Sequence, residues 1–254
     1  MKTFLSFNGP AVVLAGLCVV ALTGVGHAGV INPEFEEFGA LPAATFGGSG
    51  IDNSSVAVDR YASSYFNIEN SRVTLGLSAT PRFSQPALSN DGAGTFSAVT
   101  GAYSPSEPNT ARWNVSFYIS QEARFFPELY GYQLLYDFDP AADTDEDDLG
   151  RFDLTAFALG QNPFQGSENV GFGYLTINAP PLNTVPAYAP FDPNVRGEYT
   201  FSLVATNISG DEVARSTIIV NTVPEPATLA MFSLLTIGAA GAYRRRRKNR
   251  AAAC

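Results

Sequence analysis

Between residues 29 and 223 this 254-residue chain has no histidine, no cysteine and no lysine. The only histidine is His27, the cysteines are Cys18 and Cys254, and the lysines are Lys2 and Lys248. Without His or Cys the body has no Ser-His-Asp triad, no Cys-His pair and no ordinary His/Cys zinc site. Without Lys it has no Ser-Lys dyad and no Schiff base, and without paired cysteines it has no disulfide to staple it. A core must therefore stabilise it, and about 195 residues are enough to bury one.

Positive charge is also scarce. Seven of the 15 basic residues lie at the ends, namely Lys2, Arg244, Arg245, Arg246, Arg247, Lys248 and Arg250. Residues 29–223 keep eight arginines against 23 acids, a net charge of -15. Such an acidic exterior disfavours nucleic acid and anionic lipid, both of which need clustered positive charge. No convincing amphipathic helix and no internal repeat occur in this stretch, and Trp113 is the only tryptophan.

The ends carry the long apolar runs. Lys2, an uncharged apolar core over residues 11–22 and the small-residue ending Gly26-His27-Ala28 have the form of a secretory signal peptide. Cleavage is expected after Ala28, because the run is shorter than the roughly 20 apolar residues of a spanning helix. At the other end, Val223-Pro224-Glu225-Pro226 precedes the uncharged segment 227–243, which is followed by the basic cluster Arg244, Arg245, Arg246, Arg247 and Lys248. Segment 227–243 reaches the low end of the spanning range of about 17–25 residues, and the cluster would hold its far end on the cytoplasmic side. Pro224 and Pro226 fix φ and remove amide donors, so the chain there neither joins a sheet nor extends a helix backwards.

This order of Pro-Glu-Pro, apolar segment and arginine cluster resembles the PEP-CTERM sorting signal of Gram-negative bacteria. The resemblance covers about the last thirty residues. It implies recognition by an exosortase, a membrane-embedded cysteine peptidase, and an inner-membrane-inserted precursor whose body then reaches the cell surface or the medium. The expected organisation is a signal peptide at 1–28, an exported domain at 29–222 and a sorting signal at 223–250.

In the body, short apolar or alternating runs separated by Gly, Pro, Asn and Asp predict an all-β fold. We expect an antiparallel β-sandwich, immunoglobulin-like or jelly-roll-like, flanked by a signal helix and a C-terminal transmembrane helix. The clearest runs are 71–79, 111–120, 131–138, 151–159, 170–178, 198–205 and 213–221. In the run 198–205, Tyr199, Phe201, Leu203 and Ala205 share one face while Thr200 and Ser202 share the other, the pattern of one buried and one wet face. The last two runs, joined by a polar turn at 206–211, form the best hairpin. Residues 29–53 read as a leader that either packs as an edge strand or remains mobile, and the proline-rich 179–196 as a connection excluded from central strands.

Three groups are candidates for chemistry. Asp137, Asp139, Asp143, Asp145, Asp147 and Asp148, followed by Asp153, form an acidic loop with the hard oxygens that Ca²⁺ prefers. It does not follow the EF-hand pattern: counted from Asp143, the sixth residue is Asp148 instead of Gly and the twelfth Leu154 instead of Glu. A solvated acidic turn has the same composition. Glu69, Glu122, Glu128, Glu168 and Glu198 are the carboxylates left for glycosidase-type chemistry. Phe125, Phe126, Tyr130, Tyr132, Tyr136, Phe138, Phe172, Tyr174, Tyr188 and Phe191 supply either sugar-stacking platforms or core.

The sequence thus predicts a non-enzymatic surface or extracellular-matrix protein with a structural or adhesive role, linked to exopolysaccharide as the resemblance implies. The alternative is a carbohydrate- or calcium-binding module, and a carboxylate-dependent hydrolase ranks below both.

Overall fold

The computed structural model describes residues 30–66, 68–83, 86–125, 128–188 and 190–224. The signal peptide with Ala28, the segment 227–243 and the basic cluster lie outside these residues. No helix among the described residues is long and apolar enough to cross a membrane.

Fourteen strands form among the described residues. The first seven are β1 (Glu37–Gly39), β2 (Val56–Tyr65), β3 (Ile68–Pro81), β4 (Ser89–Asn90), β5 (Thr95–Val99), β6 (Ala102–Ser104) and β7 (Glu107–Ala111). They are followed by β8 (Trp113–Ala123), β9 (Gly131–Tyr136), β10 (Gly150–Asp153), β11 (Phe164–Glu168), β12 (Asn183–Thr184), β13 (Glu198–Thr206) and β14 (Glu212–Val223). One sheet has the order β1-β2-β3-β8-β11 and the other β12-β10-β9-β13-β14-β5-β4, with β6-β7 a separate ribbon.

The two sheets share one core. On β3, Val73, Leu75, Leu77 and Ala79 alternate inward, and Ile119, Phe117 and Val115 of β8 stand opposite the last three. From the other sheet come Tyr132, Leu134 and Tyr136 of β9, Tyr199, Phe201 and Leu203 of β13, and Ile218 and Val220 of β14. Trp113 bridges the layers, its ring 5.8 Å from Phe201, 6.1 Å from Tyr199 and 6.3 Å from Phe191. Each fully buried Leu or Phe contributes about 1.5–3 kcal/mol by leaving water. The all-β expectation holds, and so does the final hairpin, with β13 and β14 paired from Glu198–Asn221 to Thr206–Glu212.

Several expectations are corrected. The antiparallel pattern breaks at β14 and β5, which pair in parallel from Ile219–Thr95 to Val223–Val99. The last strand is therefore an interior one. The face of β13 expected to be wet is buried, with Thr200 at 5% and Ser202 at 0% exposure. Segment 30–34 covers it: Glu34 and Thr217 exchange backbone hydrogen bonds, and Ile31 packs on Leu135, Leu149 and Val204. Ser202 and Thr217 satisfy each other across the hairpin at 2.8 Å, so burying them leaves no orphaned hydroxyl.

Run 151–159 is only half strand. It turns at Asp153, whose carboxylate accepts from Thr155 N at 2.8 Å, into the short helix α1 (Thr155–Ala158). Run 170–178 is not a strand and contains a 3₁₀ turn at Gly173–Thr176. Strands β2, β5 and β11 escaped the sequence reading because Asp59-Arg60 interrupts one, another is five residues long, and Phe-Gln-Gly-Ser-Glu shows no alternation. The leader does pack: β1 extends the first sheet, and Leu41, Ala44 and Phe46 cover its outer face with Val56, Val58 and Tyr118. The connection 179–196 supplies only the two-residue edge strand β12, as its prolines require.

Candidate functional site

The sorting signal leaves the body directly from β14. Thr222 is 3% exposed, donates its amide to Gly197 O at 2.8 Å and accepts from Gly197 N on its hydroxyl at 2.8 Å. Val223 pairs with Val99, and its carbonyl accepts from Thr100 N at 3.0 Å. Pro224 follows with no amide to give, so the ladder cannot continue through it. The folded body thus holds the chain as far as Val223. Glu225 and Pro226 lie outside the described residues.

The acidic loop does not gather its carboxylates. Asp137, at the end of β9, is 1% exposed and accepts from Asp139 N at 2.7 Å and Thr200 N at 3.4 Å. Burial pushes its carboxyl up to about 6, against the pull of the Asp139 amide, the Thr144 hydroxyl and the Thr200 amide. Asp139 accepts from Ala141 N at 3.0 Å, and Asp145 caps a 3₁₀ turn by accepting from Asp147 N at 3.0 Å. Asp143, Asp147 and Asp148 are exposed. Glu146 reaches away to Arg215 at 2.9 Å. Among the described residues no three acidic side chains are grouped to hold a metal. The physical reason is local: Asp137, Asp139, Asp145 and Asp153 each accept through one oxygen from the backbone amide two residues on, which turns these carboxylates toward their own backbone and away from one another.

The glutamates are dispersed in role. Glu69 pairs with Arg72 at 2.9 Å, and Glu122 stands opposite Arg72 across β3 and β8. Glu128 accepts from Ser63, Asn70 and Tyr130, and these bonds, led by Ser63, hold its carboxyl below the usual range. Glu198 begins β13. Half of the ten singled-out aromatics are core: Tyr130, Tyr132, Tyr136, Phe138 and Phe191 are all buried. Phe125 and Tyr188 are exposed, and Phe126 lies outside the described residues.

Tyr174 and Glu168 meet at a site the sequence reading did not assemble. A cavity of about 400 Å³ opens between β11, the edge strand of the first sheet, and β10, which lies next to the edge strand β12 of the second. Phe117, Phe152, Phe157, Phe164, Tyr174 and Glu168 line it, over a floor of Leu134, Leu154 and Leu175. Phe157 lies nearly parallel to Phe152 (15°, 6.2 Å) and to Phe164 (12°, 6.4 Å). Phe117 tilts against Phe164 at 5.3 Å, and Tyr174 against Phe152 at 5.7 Å. Tyr174 donates its hydroxyl to one oxygen of Glu168. Burial first, and then Glu168, push the Tyr174 phenol well above its ordinary value, so it stays a donor.

Strand periodicity explains the gathering. Phe164, Gly166 and Glu168 alternate onto one face of β11, and Gly166 stands opposite Phe117. A side chain at 166 would meet the Phe117 ring at 2.9 Å, so only glycine lets that ring lie over the strand. Phe152 and Phe157 flank the Asp153 turn, whose strand-to-helix switch aims both into the gap. A reading of 151–159 as one strand hides that convergence.

Two comparisons with known proteins bear on the chain. Residues 222–248 match the PEP-CTERM protein-sorting motif, one residue upstream of the start expected at Val223. No curated protein matches the chain. The chain therefore carries a PEP-CTERM signal, the mark of an exported protein that passes through the membrane and is recognised by an exosortase.

Proposed function

We propose that this PEP-CTERM protein delivers an acidic, non-enzymatic β-sandwich to the cell surface or the extracellular matrix, where it has a structural or adhesive role. The observation that carries the reading is the junction at Val223. Val223, the last hydrogen-bonded residue among those described, is followed at once by the Pro-Glu-Pro element, so removal of the tail leaves every described strand intact. A cargo built this way is released whole. The absence of His, Cys and Lys from residues 29–223 supports a role that needs no nucleophilic or zinc chemistry.

Mass spectrometry of the exported protein tests this reading. The expected mature form begins near residue 29 and ends close to Pro224–Pro226, in a fraction outside the cytoplasmic membrane. A full-length species that retains Cys254 in that membrane would refute processing. An association with exopolysaccharide is part of the proposal and has its own check: the mature protein should co-sediment with the matrix polysaccharide of its host and be released when that polysaccharide is digested.

A further inference from the structure

We propose that the cavity between β10 and β11 binds a small organic cation of the alkylammonium class, with an apolar, methyl-rich head. Five aromatic rings and one carboxylate around one opening make the chemical signature for such a head. Aromatic faces carry negative quadrupole density, which attracts a dispersed positive charge. The methyls bury apolar area that a hydrated metal ion lacks.

The volume of about 400 Å³ lies within the range of small-molecule sites, roughly 300–1,000 Å³. Phe157 and Tyr174 are 45% and 41% exposed, so the rings are open to an incoming ligand. Glu168 is the one charged residue of the lining, and Tyr174 engages only its Oε2. Its Oε1 lies 3.5 Å from the point where a Cβ on Gly166 would sit, on the face shared with Phe164. The Phe117 ring edge lies 2.9 Å from that same point, so this oxygen stands beside an aromatic wall of the cavity. A neutral apolar ligand would use the rings and leave this carboxylate desolvated without a counter-charge, which is costly.

Titration calorimetry on the full chain in a non-ionic detergent tests the proposal, with choline as the probe and 3,3-dimethyl-1-butanol as its uncharged isostere. Choline is expected to bind saturably and at least about tenfold more tightly than the isostere, the scale of one desolvated cation–π and ionic contact. Glu168→Gln, which keeps the shape and the acceptor for Tyr174, should weaken choline about tenfold and leave the isostere unchanged. Phe157→Ala should weaken choline several-fold, with melting temperature recorded to show that the fold persists. Equal binding of choline and the isostere, binding of choline indifferent to both substitutions, or no saturable heat with choline would each overturn the proposal.

Discussion

Lowering the pH from about 7.5 to about 5 is expected to stabilise this acidic body through Asp137. Its carboxyl is 1% exposed at the end of β9, and burial raises it from an ordinary 3.8 to about 6. A raised carboxyl binds its proton more tightly folded than unfolded, so ionising it costs the folded state free energy above about pH 6. That cost disappears as pH falls from about 6 towards 3.8. The full span is about 2 pH units at 1.36 kcal/mol each, or about 3 kcal/mol. Between pH 7.5 and pH 5 the gain comes to about 1 kcal/mol.

Urea unfolding at several pH values, compared with Asp137→Asn, isolates this contribution. Asp59 is also raised by burial and adds a gain in the same direction to both proteins, so it cancels in the difference. Glu128 works the other way: its lowered carboxyl contributes stability above about pH 4.5 that is lost as pH falls through its folded value. The window therefore stops at pH 5. A wild-type curve as flat as that of Asp137→Asn over this window would refute the reasoning.

Other positions make sharper steric and polar tests. Gly171→Ala would place a Cβ 1.7 Å from Asn109 O, a backbone atom with little freedom, and should destabilise the body by about 2–4 kcal/mol in the same assay. Asn169 is 0% exposed; its amide nitrogen donates to Ala111 O and Trp113 O, and its oxygen accepts from Ala111 N and Gly171 N. Its nitrogen also donates to Asn114 Oδ1, and Asn169→Asp turns all of these donated contacts into oxygen-oxygen repulsion, with a loss of about 3 kcal/mol or more and greater loss at higher pH. Leu75→Ala, fully buried on β3, should cost about 2–5 kcal/mol by chemical denaturation. Replacing Pro224, Glu225 and Pro226 with alanine should leave the melting temperature of the body within a degree or so, since no strand among the described residues passes Val223, and should abolish C-terminal processing on a mass spectrum.

Legibility followed the range of the interactions involved. Strands β3, β8, β9, β13 and β14 were readable because their alternation answers to one core. Strand β11 was not, because Gly166 is set by the Phe117 ring of a neighbouring strand, and that neighbour is about 50 residues distant in sequence. The helical turn at 155–158 depends on Asp153 accepting from Thr155, a contact that competes locally with the strand pattern around it. Of the candidate sites, only the tail carried its meaning in consecutive residues. The acidic loop had the composition of a cation site, while in the fold Asp137 is a buried acceptor, Asp139 and Asp145 cap turns, and Asp143, Asp147 and Asp148 face solvent.

By itself the sequence determined the address and the exclusions. A Pro-Glu-Pro element, an apolar run and an arginine cluster act through local chemistry, and a body without His, Cys or Lys lacks whole classes of catalysis in any fold. Only the tertiary structure decided which polar faces are dry, that the last strand is interior and ends at Val223, and that Phe117, Phe152, Phe157, Phe164, Tyr174 and Glu168 surround one cavity. Those outcomes rest on which strands become neighbours. Pairing across more than a hundred residues, as between β14 and β5, is set by the packing of the whole core and leaves no mark in either segment alone.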